Sequence, residues 1–354
     1  MAAPRPPGFA LDCPVPASRY DRIVLGHGSG GRLSADLVRD VFLPAFANAT
    51  LAALEDQATV DLAGAGRIAL TTDSFVVHPI FFPGGDIGRL AVHGTVNDLA
   101  VGGARPLVLA AAFVLEEGFE VERLRRVVAS MRAACDEAEV QIVTGDTKVV
   151  ERGKGDSIFI TTTGIGLLPA GCALSVARAA VGDAVVVSGT IGDHGLAILS
   201  VREGLSFETS LQSDCAPVTS LTQAMMRASP RIRCMRDPTR GGLASALNEI
   251  AQASRVGIEL TDATIPVRAE VRGACELLGL DPMYAACEGR VVAVVPAGDA
   301  PDVVTAMKGH PLGRDAAVVG AVVSAHPGVV TVRSSVGGVR TLPMLTGEPL
   351  PRIC

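Results

Sequence analysis

Three short segments carry oxygen donors and cationic groups at spacings that suit chemistry on a phosphate. The first runs Thr71-Thr72-Asp73-Ser74, then a Pro/Gly loop at 83–85, then a helical stretch carrying Asn97 and Asp98. The second, Thr144-Gly145-Asp146-Thr147-Lys148, sets an acid, a hydroxyl and an ammonium just after a strand at 141–143. The third, Arg236-Asp237-Pro238-Thr239-Arg240-Gly241-Gly242, leads into a helix. Such carboxylates suit a hard cation, because Mg²⁺ takes oxygen ligands and usually shares them with phosphate. Asp, Thr and Gly are also ordinary cap and turn residues. It is their recurrence in three places that favours phosphate and metal binding, and helix N-termini with free N–H groups bind anions as well. A Gly-rich loop, His27 to Arg32, could wrap its backbone around a phosphate. It contains Gly28, Gly30 and Gly31 but matches neither the P-loop nor the dinucleotide fingerprint. Two further chemical groups stand at turns: His194 in Gly192-Asp193-His194-Gly195, and Glu288 between Cys287 and Gly289.

The elements that must position these groups are partly readable. Leu107 to Leu115 is an apolar strand, which needs covering on both faces. Val121 to Ala138 places Val121, Leu124, Val128, Met131 and Cys135 on one helical face. Further strands are expected at 68–72, 157–165, 184–188 and 291–295. Further helices are expected at 34–42, 89–101, 196–202, 215–228, 267–278 and from about 242 to 254. Residues 316–323 and 329–332 read as a closing β-hairpin. Helices and strands mix without regular βα alternation, so separate α+β layers are expected rather than a doubly wound sheet. At 354 residues there is room for two domains at roughly 150 residues each. The expected divisions are a loose Pro-rich arm at 1–20, domains at 21–168 and 169–334, and a mobile tail at 335–354.

Composition removes several function classes. Aromatics are 3% of the chain, with no Trp, which argues against a stacking platform for single-stranded nucleic acid. The net charge is −6 and no Lys/Arg run stands out, so duplex nucleic acid is not an expected partner either. No stretch approaches the roughly 18 apolar residues of a membrane span, and the N-terminus lacks a signal peptide's apolar core. A cytoplasmic protein is expected. None of the eight cysteines forms a CxxC pair, which disfavours structural zinc. Cys354 differs from the rest: it follows a Gly/Pro-rich segment without periodicity, where a thiol is expected to be exposed and open to an acylating partner.

The segments His27–Arg32, Thr71–Ser74, Val96–Ala100, Thr144–Val150, Gly192–Gly195, Arg236–Gly242, Ala286–Gly289 and Pro351–Cys354 resemble hydrogenase maturation factors of the HypE type. These belong to the superfamily of aminoimidazole ribonucleotide synthetase and selenophosphate synthetase. The resemblance implies an α+β, two-domain aminoimidazole ribonucleotide synthetase-like fold, with mixed sheets, helices on one face and a flexible C-terminal tail. It also implies ATP-dependent dehydration of an S-carboxamide on Cys354 to an S-cyanide, supplying the cyanide ligands of a NiFe hydrogenase. ATP and Mg²⁺ are the implied cofactors. The implied partners are the carbamoyltransferase HypF, the HypC–HypD complex and a second copy in a homodimer with ATP sites near the interface. On this reading Asp73, Asp98 and Asp237 hold the metal. Gly28, Gly30, Gly31, Asp73, Asn97, Asp98, Asp146, Thr147 and Lys148 bind ATP. Cys354 carries the substrate, Glu288 is the base, Lys148 stabilises phosphate or intermediate, and His194 assists. The rival expectations are a sibling synthetase of the selenophosphate or aminoimidazole ribonucleotide type, and a non-catalytic carrier or scaffold. Selenophosphate synthetases usually place a reactive Cys or Sec in the first Gly-rich loop, and 27–32 has none.

Overall fold

The structure, a computed structural model, describes residues 31–42, 50–62, 66–204, 211–345, 347 and 352–354. The Pro-rich arm, Gly28 and Gly30 lie outside the described residues. Two large β-sheets, each carrying helices, make up most of the described residues. The first contains β1 (Ala58–Leu62), β2 (Gly66–Phe75), β5 (Arg105–Glu116), β6 (Gln141–Val150) and β7 (Ile158–Leu168) in the order β1-β2-β7-β5-β6. All its pairings are antiparallel except β5 with β6. A two-stranded ribbon, β3 (Phe81–Phe82) and β4 (Gly85–Asp86), precedes the central helix.

That helix, α2 (Ile87–Val101), starts where the Asp86 side chain accepts from Gly88 N and Arg89 N, at 2.7 and 3.0 Å. It is apolar almost all round and accordingly buried almost all round. One side lies on β2 and β7; the other meets α3 (Val121–Glu137). α3 buries Val127, Met131, Ala134 and Cys135, but Val121 and Val128 of the expected stripe are exposed. α1 (Arg32–Leu37) continues into a π-helical turn at Val38–Phe42.

The second sheet runs β14-β13-β10-β12-β8-β11-β9. Its strands are β8 (Asp183–Val187), β9 (Cys234–Arg236), β10 (Gly257–Thr261), β11 (Val292–Pro296), β12 (Ala317–Val323), β13 (Val330–Arg333) and β14 (Val339–Thr341). β8 and β11 are Val-rich and buried on both faces, as central strands covered on both sides should be. The helices of this half are α4 (Asp193–Arg202), α5 (Thr219–Ala228), α6 (Gly242–Ser254), α7 (Ala269–Leu278) and α8 (Ala300–Lys308).

Three expectations change. The closing hairpin is not formed by β12 and β13: β10 lies between them, antiparallel to β12 and parallel to β13. β13 instead pairs with β14, so residues 339–341 of the expected tail belong to the sheet edge and Leu342 behind them is fully buried. The strand expected at 141–143 continues to Val150, so Asp146, Thr147 and Lys148 sit within it rather than after it. The Gly and Asp that read as a turn are tolerated because β6 is an edge strand, exposed along nearly its whole length.

Candidate active site

The two halves meet at a small acidic cavity. Asp73 comes from β2, Asp98 from the last turn of α2, Asp237 and Arg240 from the β9–α6 loop, and Glu288 from the loop before β11; Cys354 also lines it. Local chemistry explains the convergence. Gly242 opens α6 at φ +60, and a Cβ there would meet Met283 O at 2.6 Å and Ala285 O at 2.7 Å. Only glycine lets the Asp237–Arg240 loop lie this close to the segment that leads to Glu288. A Cβ on Gly289 would likewise strike Asp214 O at 1.9 Å. The close approach that glycine permits puts Asp214 Oδ1 3.0 Å from Glu288 N.

The carboxylates crowd one another. Glu288 is 2% exposed and its Oε1 has no hydrogen-bond partner. Burial pushes its pKa well above the usual carboxylate range, and Asp237, Asp214 and Asp73 add to the effect. Asp98 is also raised well above that range, by burial and then by Asp237 and Asp73, although Thr71 Oγ1 donates to its Oδ2 at 2.7 Å. Burial raises Asp237 to about 6. Asp73 is raised by burial as well, opposed by Arg240, whose Nη2 lies 3.8 Å from Oδ1. Oxygen donors that resist ionising side by side fit a hard cation. No three His, Cys, Asp or Glu side chains among the described residues close into a cation cage. Mg²⁺ needs no such cage, since it binds through one or two carboxylates plus phosphate and water.

Residues 352–354 reach this cavity from outside both sheets. Ile353 bridges Val77 in antiparallel fashion, with Val76 N donating to Cys354 O and His78 N to Arg352 O, each at 3.1 Å. The Ile353 side chain is buried in the core and Cys354 packs beside it, half-buried. The exposed thiol expected from sequence is therefore drawn inward, because the apolar residue before it finds a core site. Cys287, adjacent to Glu288, is fully buried and its thiol is pushed well up by that burial, so it is no rival nucleophile.

Other expected site residues stand elsewhere. Asn97 is buried, and both its N–H groups are spent on Ala216 O and Glu288 O at 3.0 and 3.1 Å, while Oδ1 accepts from Val218 N at 2.8 Å. It has no N–H left for a nucleotide; it pins the loops that carry Glu288. His194 is fully buried, with Nδ1 2.8 Å from Ser213 Oγ and Nε2 2.5 Å from Ile353 O, so it meets the tail's main chain and not the acids. Gly31 packs against Leu345, outside the acidic cavity. Asp146, Thr147 and Lys148 are not in the cavity either. Asp73 aligns with Thr162, Thr162 with Ala111, and Ala111 with Gly145. Three strand spacings separate β2 from β6, roughly 14 Å. Asp146 and Lys148 also alternate to the opposite sheet face from Asp73. They pair with each other in solvent, Nζ to Oδ2 at 2.9 Å, and Lys148 with the Thr147 N–H holds the Asp146 carboxyl below its usual range. Sequence reading left Arg240 without a role, though its Arg-Gly-Gly motif was the available signal; Arg202, Ser213 and Asp214 carried none.

The fold and this cavity define a class. The family models for "AIR synthase related protein" match here, the N-terminal domain over residues 54–168 and the C-terminal domain over 180–333. The carbamoyl dehydratase HypE of Cupriavidus necator is 53% identical over 333 residues, which span 94% of this chain and 95% of that one. Among solved structures, HypE in a HypE–HypF complex superposes with a TM-score of 0.83 at 48% identity, covering 87% of this chain and 99% of that one. HypE in complex with ATP gives a TM-score of 0.79 at 48% identity, covering 94% and 100%. The chain belongs to the HypE family.

Proposed function

We propose that this protein is an ATP-dependent carbamoyl dehydratase of hydrogenase maturation, turning an S-carboxamide on Cys354 into an S-cyanide. The observation that carries this reading is the docking of Cys354 into the cavity lined by Asp73, Asp98, Asp237, Arg240 and Glu288. The high identity to carbamoyl dehydratases and the likeness to an ATP-bound relative support it. Net, S–C(=O)NH₂ becomes S–C≡N and the elements of one water leave. ATP would supply the phosphoryl group that makes the amide oxygen able to depart, and Mg²⁺, which one or two of Asp73, Asp98 and Asp237 would hold together with phosphate oxygens, would neutralise the phosphates.

The chain's own groups then have separable tasks. Glu288 takes the nitrogen protons. Its burial and acidic neighbours raise its proton affinity, which is what a base for a weakly acidic N–H needs. Arg240, at the cavity wall, offsets negative charge. Asn97 holds the Glu288 loop in place through main-chain carbonyls.

Lys148 belongs to a second part of the site. The outer face of the first sheet leaves Val60, Leu70, Ile165 and Leu167 exposed, and the edge strand β6 beside it has Ile142, Val143 and Val149 exposed as well. Apolar side chains on an uncovered sheet face mark an interaction surface. We infer a homodimer through this face that presents Asp146, Thr147 and Lys148 to the partner's nucleotide. The HypE–HypF complex of the relative supports HypF as the carbamoylating partner; the HypC–HypD complex is the proposed cyanide acceptor, in the cytoplasm. No helix among the described residues is long and apolar enough to cross a membrane.

The test is direct. The full-length protein bearing a carboxamide on Cys354 should lose the mass of one water on addition of Mg-ATP, and Cys354→Ala should bind ATP yet form no nitrile. ATP binding without any mass loss would leave only the scaffold reading.

A further inference from the structure

His194 was expected among the catalytic residues, yet its geometry leaves it no proton to move. Nε2 faces the Ile353 carbonyl at 2.5 Å, so that nitrogen carries the hydrogen and donates. Nδ1 is then the acceptor, 2.8 Å from the Ser213 hydroxyl. The Ser213 oxygen also accepts from Cys215 N at 3.1 Å, which leaves its hydroxyl hydrogen for Nδ1; the Ile353 carbonyl, able only to accept, sets the direction. The ring is fully buried against the edge of Phe82, and that burial keeps it neutral.

Arg202, at the end of α4, makes a parallel contact from the other side. Its guanidinium donates to His78 O through Nη2 at 2.7 Å and Nε at 3.2 Å, and to Arg352 O through Nη2 at 2.8 Å. It ties the segment after β2 to the segment that carries Cys354. With Val76 N on Cys354 O, the main-chain oxygens of 352, 353 and 354 are each held by a donor from the body of the protein.

We propose that His194 and Arg202 are positioning residues: they clamp residues 352–354 by their main-chain carbonyls and so fix where the Cys354 sulfur stands. This rests on the reading that Cys354 carries the reacting group. These bonds end on main-chain oxygens, which do not change as the sulfur reacts, so the same clamp serves the thiol, the carboxamide and the cyanide. Side chains supply the anchor instead, with Ile353 buried in the core and Arg352 paired with Asp156. A substrate that must be collected outside and presented inside is best held by contacts that do not change as it reacts. The clamp meets that requirement.

The experiment measures protection of Cys354 in the full-length chain, without ATP or partner. Iodoacetamide labelling is followed by mass spectrometry of the C-terminal peptide. Arg202→Ala and His194→Ala should each label Cys354 about tenfold faster than wild type, equivalent to about 1.4 kcal/mol of docking. Ile353→Ala should label faster still. His194→Gln keeps an N–H able to reach the Ile353 carbonyl and should return toward the wild-type rate. Melting temperature and labelling of the buried Cys135 report folding. Wild-type labelling in a folded Arg202→Ala overturns the clamp, and that variant decides alone if His194→Ala does not fold. In carboxamide-loaded enzyme the clamp variants should lower kcat for nitrile formation and leave KM for ATP unchanged. The two readings fail separately: unaltered labelling beside normal dehydration removes the clamp, whereas altered labelling in a chain that never forms nitrile removes the dehydratase.

Discussion

The acidic cavity and the β6 edge carry the same residue types under opposite conditions. Asp98, Asp237 and Glu288 are withdrawn from solvent and crowded, so their pKa values rise. Asp146 is exposed beside Lys148, and its pKa falls. A buried carboxylate cluster stores a demand for positive charge, which a metal or a proton must meet. An exposed Asp–Lys pair is already neutral overall and is worth little to the fold. The cavity is thus a site in its own right, and the β6 group makes sense as half of one. Identical residue types acquire different chemistry from burial and from the charges beside them.

The hardest blow to that contrast would come from Glu288. Glu288→Gln keeps the shape and the two main-chain contacts to Asp214 and Asn97 but cannot accept a proton. Nitrile formation should fall by about 10²–10⁴-fold, with ATP affinity unchanged by calorimetry. Carboxamide should persist on Cys354 by intact mass. Normal turnover in this variant would mean the buried acid is a structural group after all.

A smaller loss, about 10²–10³-fold, is expected for Lys148→Ala, since it removes one charge from the transferring phosphate. The informative experiment mixes the two variants. On the half-site reading, each site of a twofold dimer takes Lys148 from one copy and Glu288 from the other, so randomly reassociated subunits should recover about a quarter of wild-type sites. No recovery on mixing, with dimers verified by sedimentation, would place Lys148 outside the partner's site and break the half-site reading.

How much of this was visible beforehand follows the same divide. Runs with a strong period or an unbroken apolar face, such as Leu107–Leu115 and Val121–Ala138, correspond to β5 and α3 almost to the residue. β10 and β14 went unread: Gly257–Thr261 and Val339–Thr341 are short, mixed in polarity and bounded by turn residues. β6 was cut short because an edge strand tolerates the Gly and Asp that elsewhere signal a turn. In the candidate site, five residues singled out by side-chain chemistry converge: Asp73, Asp98, Asp237, Glu288 and Cys354 all line one cavity. Groups acting on main chain were misread or unseen. Asn97 was expected to face the nucleotide, His194 to assist the chemistry, and Arg202 carried no expectation. Nothing in a side chain's identity tells which distant carbonyl it will meet.

The smallest expected effect concerns stability, and it tests whether the cavity's charge demand is real. Asp237 is 8% exposed and its pKa is raised to about 6, chiefly by burial and further by Asp73 and Glu249. An unfolded aspartate titrates near about 4. Between those values the unfolded chain has released its proton while the folded protein still holds one. The folded state therefore loses stability as pH rises from about 4 to about 6, on the order of 2–3 kcal/mol from this group, and the deficit stays constant above that window. Asp237→Asn cannot ionise, so its stability should lack this fall. In EDTA the variant should match wild type near pH 4 and melt a few degrees higher at pH 7, at about 2 °C per kcal/mol for a chain of this size. Mg²⁺ should reverse the order by raising the wild-type melting temperature at pH 7 more than at pH 5, with little effect on the variant. Parallel curves of melting temperature against pH for the two proteins would show that Asp237 carries no such deficit. The cavity's acids would then be ordinary surface carboxylates like Asp146, and the contrast between the two regions would collapse.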